Sequence, residues 1–109
     1  MNRSDVRQGL FGGSGTVEVW DLLGSQDAGP FRAALACELA PGGSVGTHVQ
    51  EEYAEIVVGL DGAGTATVGG REMPLHAGAL CYLALGQTLS LCNDSTEAPL
   101  RYLIIKAGA

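Results

Sequence analysis

Apolar and polar positions alternate along most of this chain in short runs, the period at which a β-strand buries one face. Residues 16–23 (TVEVWDLL) form the first such run and 31–39 (FRAALACEL) the second. The alanines of the second would also suit a helix, but the break at Pro41-Gly42-Gly43 favours a strand. Further strands are expected over 47–50, 55–60, 64–68, 71–75, 79–84, 88–93 and 100–106. Turn signals separate them: Asp61-Gly62, Gly69-Gly70, Gly78, Gly86 and the stretch 94–99. Eight or nine short strands with no convincing helix predict an all-β sandwich or barrel. Residues 1–15 are polar and glycine-rich, and read as a flexible arm ahead of a single domain over 16–109.

Composition sharpens this picture. At 109 residues, 46% apolar and 17% charged, the chain can bury one core but not two. Its 17 glycines lie between apolar runs, as many tight turns require. A net charge of −6 argues against nucleic acid as a partner, because phosphate recognition needs a basic face. No apolar stretch is long enough to span a membrane, and the first residues show no secretory signal. Cys37, Cys81 and Cys92 each sit in an apolar run without CxxC pairing, which predicts reduced, buried thiols and a cytoplasmic setting.

The chemistry concentrates in residues 42–62, GGSVGTHVQEEYAEIVVGLDG. His48 and Gln50, two apart on an extended strand, would share a face, and a short reversal would bring Glu55 back over them. Three potential metal donors then converge from two strands. The spacing is Gly42, five residues, His48-Val49-Gln50, four residues, Glu55, six residues, Gly62. It resembles the first motif of the cupin family, with Gln50 where the family usually has a second histidine. The family's second motif is matched by Gly78, Gly86 and Asn93, but Ala84 replaces its usual proline and Leu89 its histidine.

The resemblance implies a jelly-roll barrel, a double-stranded β-helix, and a metal site that in most members uses three histidines and one glutamate. Here that site is degenerate, reduced to His48, Gln50 and Glu55. One reading is an open centre holding a divalent iron, manganese, nickel or zinc ion weakly, since imidazole and carboxylate are good ligands and a glutamine carbonyl a poorer one. The other is a metal-free pocket in which His48 and Glu55 hydrogen-bond each other. Two functions follow. The first is a barrel that binds a small molecule against Tyr53, Val57, Leu89 and Leu91. The second is an enzyme of the kind cupins host (dioxygenase, isomerase, decarboxylase or cyclase) acting on a small oxygenated substrate, either metal-dependent through His48, Gln50 and Glu55 or metal-free with His48 as general acid/base and Glu55 orienting it. His76 and the Glu51-Glu52 pair are expected at the surface, Asn93 as a support of the barrel backbone. Family habit and the outer face expected from Ile56 and Val58 imply a homodimer.

Overall fold

The computed structural model describes residues 4–108. Ten strands form two antiparallel sheets: β1 (Ser4–Gln8), β2 (Thr16–Asp21), β3 (Phe31–Leu39), β4 (Ser44–Val49), β5 (Ala54–Asp61), β6 (Ala63–Val68), β7 (Arg71–His76), β8 (Leu80–Leu83), β9 (Thr88–Asn93) and β10 (Leu100–Ala107). One sheet runs β1-β2-β3-β10-β5-β8 and the other β4-β9-β6-β7. The chain passes repeatedly between them, the wiring of a jelly roll. Its interior is made by the alternating inward residues of both sheets, among them Val17, Leu39, Val57, Leu75, Leu83, Leu89, Leu100 and Tyr102.

Period two is realised strand by strand. Glu55, Val57 and Gly59 of β5 are buried while Ile56 and Val58 between them face out. The two glycines bracketing the motif adopt backbones that side chains resist, Gly42 at φ 68° and Gly62 at φ 98°, which is why both turns end on glycine.

Two expectations are corrected. Residues 4–8 of the expected arm are an edge strand of the sheet: β1 pairs with β2 from Ser4 opposite Trp20 to Gln8 opposite Thr16. It continues into a short helical turn, Leu10–Gly12, that packs on β4. SDVRQ offers one apolar residue, so its pairing follows from the open edge of β2 and not from its own pattern. The thiols also differ from one another. Cys37 and Cys81 are buried, whereas Cys92 is exposed, because Leu91 and Asn93 take the inward positions of β9.

Candidate functional site

The site lies between the sheets, beneath the Leu10–Gly12 turn. A β-bulge shapes its wall. Val45 pairs with Leu91 and His48 with Leu89, so β4 spends three residues where β9 spends two. That extra residue turns both Val45 and His48 inward, although strict alternation would place them on opposite faces.

An inner cavity of about 200 Å³ results. Its wall is largely apolar, made by Val17, Val19, Leu35, Val45, Leu89, Leu91 and Ile104. The polar side chains facing it are Arg7, His48, Glu55, Tyr102 and Lys106. Above it an open bowl of about 620 Å³ is lined by Val49, Gln50, Glu51, Glu52 and Tyr53. Phe11, His48 and Lys106 border both spaces and form the boundary between them.

The sequence-derived residues therefore divide. His48, Glu55, Leu89 and Leu91 meet at the inner cavity, while Gln50 and Tyr53 belong to the bowl outside it. Val57 lines neither. It shares the face of Glu55, but between Ile104 and Cys81 in register it is completely buried in the core. Arg7, Phe11 and Lys106 were not singled out from the sequence. Lys106 had a signal, since Tyr102, Ile104 and Lys106 alternate along β10. Arg7 and Phe11 had none.

His48 and Glu55 also have other partners than each other. His48 Nδ1 donates to the Gly46 carbonyl at 3.1 Å, because a carbonyl can only accept. The neutral ring then carries its lone pair on Nε2. Phe11 stacks on this imidazole, ring centroids 3.9 Å apart and planes within 13°. Phe11 itself has φ 54°, the left-handed region that bulky residues avoid.

Glu55 is 3% exposed. Its Oε1 lies 3.7 Å from Lys106 Nζ, and its Oε2 has no hydrogen-bond partner. Burial raises the Glu55 carboxyl above the ordinary range, and the Lys106 ammonium opposes the shift. Deeper in, Tyr102 of β10 and Cys37 of β3 lie opposite each other in register, both facing the cavity. Burial pushes Cys37 up to about 12 and Tyr102 higher still, so both are neutral near pH 7 and neither is an activated nucleophile.

A scan against protein-family models matches residues 35–106 to the cupin domain. The chain belongs to the cupin family. A curated relative, an oxalate-binding protein from Thermotoga maritima, is 38% identical over 84 residues, covering 75% of this chain and 69% of that protein. Among solved structures, a predicted oxalate decarboxylase from Thermotoga maritima superposes with TM-score 0.90 at 28% identity, over 99% of this chain and 94% of that one. A cupin 2 conserved barrel domain protein from Salinispora arenicola gives TM-score 0.75 at 24% identity, over 96% and 82%. The second likeness shows the fold alone.

The residues here do not fit a resident metal ion of the usual cupin kind. Leu89 faces the cavity beside His48, Gln50 belongs to the bowl, and Glu55 already faces an ammonium. Among the described residues no group of three or more His, Cys, Asp or Glu is arranged to hold a metal. Two strong donors, one of them paired with a cation, are too few.

Proposed function

We propose that this cupin binds a small molecule in the inner cavity. The unpartnered Oε2 of Glu55, a buried carboxylate lining a largely apolar chamber, carries the reading. A buried acceptor without a donor costs about 1–3 kcal/mol, and a ligand that satisfies it recovers that cost. The name of the Thermotoga relative supports a small-molecule role. Thermal unfolding with a panel of small oxygenated compounds tests it. A hit present at a hundred times its Kd stabilises by about 2.7 kcal/mol, a rise of several degrees for a domain of this size. Leu91→Trp, which fills the chamber, is expected to remove the rise. A rise that survives in Leu91→Trp would place binding elsewhere.

We also propose a homodimer through the outer face of the larger sheet. Registers put Tyr82 beside Ile56, Ile56 beside Ile105, Val58 beside Leu103, Leu103 beside Ala36 and Ala36 beside Trp20. An apolar row thus crosses five strands, flanked on the same face by the Arg101–Glu38 ion pair. A second copy laid on it by a two-fold axis meets the same surface. Sedimentation velocity is expected to give a dimer that Ile56→Glu dissociates with its β-sheet circular dichroism retained. A monomeric wild type at micromolar concentration would refute this. Free thiols at Cys37, Cys81 and Cys92 accord with a reducing, cytoplasmic setting.

A further inference from the structure

We infer that the inner cavity takes an uncharged ligand with an apolar body and one hydroxyl group, its hydroxyl on Glu55 Oε2, rather than a carboxylate anion. This rests on the reading that the cavity binds a small molecule, and narrows its class by charge.

Three charged side chains line the chamber, Arg7, Glu55 and Lys106, and each has an ion-pair partner. Glu55 has Lys106 at 3.7 Å, and Arg7 has its Nε 2.6 Å from Asp5 Oδ2. Lys106 thus already faces a carboxylate, and the Arg7–Asp5 pair is exposed where water screens it, so the buried part of the chamber offers no unpaired cation. A dianion such as oxalate would have to approach the Glu55 carboxylate with no compensating metal site, and like charges in an apolar chamber repel strongly. The group left unsatisfied is an acceptor oxygen, 97% of its residue's surface being removed from solvent. In its neutral form His48, with Nδ1 committed to Gly46, presents a second acceptor at Nε2. Acceptors of this kind call for a donor. A hydroxyl donates to Glu55 when the carboxyl is ionised and accepts from it when it is protonated, so it is matched in either state. A carboxylate is matched only in the second.

Size and wall chemistry agree. A space of about 200 Å³ holds a molecule of roughly seven non-hydrogen atoms, taking a water's share of liquid as the unit. Leu35, Leu89, Leu91 and Ile104 provide an apolar surface for its body. Phe11 and His48, stacked at the boundary, close over it.

The test compares phenol and cyclohexanol with toluene, benzoate, cyclopentanecarboxylate and oxalate. The readout is the NMR shift of the Leu89 and Leu91 methyls and the His48 ring. Phenol and cyclohexanol are expected to bind roughly tenfold more tightly than toluene or any of the anions. In the double variant Glu55→Leu/Lys106→Met, which removes the pair together and so leaves no lone buried charge, phenol loses its advantage over toluene. Tighter binding of benzoate, cyclopentanecarboxylate or oxalate at these signals would overturn the ligand class while leaving cavity binding intact. An advantage for phenol that persists in the double variant would overturn the role of Glu55. Cavity signals that respond to none of the probes would overturn the proposal and the cavity-binding reading with it.

Discussion

Replacing Asn93 by leucine is expected to lower the unfolding free energy by about 4 kcal/mol, read from urea denaturation. Asn93 is 4% exposed at the end of β9. Its Nδ2 donates to the carbonyls of Leu39, Ala40 and Ala98 at 3.2, 3.1 and 2.9 Å, and its Oδ1 accepts from the Ser95 N–H at 3.0 Å. Those partners belong to the end of β3, the turn after it and the loop before β10. One side chain therefore ties the end of β3 to two connections of the jelly roll, β3–β4 and β9–β10. Leucine keeps the volume but supplies neither donor nor acceptor, so several backbone groups lose their partners while water reaches only some of them. Cys92→Ser, one residue away but exposed, is expected to stay within about 0.5 kcal/mol of the wild type. A loss below about 1 kcal/mol in Asn93→Leu would show that other groups hold these connections.

This support was legible in the sequence, as were the strands. Residues 31–39 and 88–93 are strands over the predicted spans, and the remaining strands of the domain match to within a few residues. Alternation and glycine turns suffice there because each strand has one face in the core. What alternation cannot give is depth. Val57 and Glu55 point the same way, yet one is sealed in the core and the other faces a chamber. Nor does it show a bulge: the inward turn of both Val45 and His48 depends on pairing with β9. β1 was missed because SDVRQ has no apolar rhythm, and its position is imposed by β2. With β1 went Arg7 and Phe11, and with Phe11 the ring that stacks on His48 at the boundary of the cavity. Lys106 was within reach of the same period-two argument that placed Tyr102, but a terminal lysine reads as solvated until its neighbour Glu55 is known to be buried.

The turn carrying Phe11 depends on a glycine pair facing it, and Gly46→Ala is expected to dislodge it. A Cβ on Gly46 would stand 1.8 Å from the Phe11 carbonyl oxygen, and one on Gly13 would stand 2.1 Å from that of Ser44. These are backbone atoms on both sides, so no side chain can swing away to make room. Ser44 N–H donates to the Ser14 carbonyl at 2.8 Å and Ser14 N–H to Ser44 Oγ at 3.0 Å, which pins the segment against β4. The added methyl forces that contact apart, at an expected cost of about 3 kcal/mol. Phe11 also occupies a strained left-handed backbone, so the displaced segment has a lower-energy conformation to relax into. His48 then loses the ring stacked on it, and the inner cavity opens into the bowl. Urea denaturation measures the cost, and the His48 ring protons report the stack through the loss of the ring-current shift that Phe11 imposes. Amide exchange at Gly12 and Gly13, whose N–H groups are bonded to Gly9 and Leu10 within the turn, is expected to rise with it. Thr47→Ala, exposed on the same strand, leaves all three unchanged. Unshifted His48 signals in Gly46→Ala would mean that the turn holds by contacts other than the close approach to β4. Otherwise the glycine is what lets an aromatic side chain roof the inner cavity.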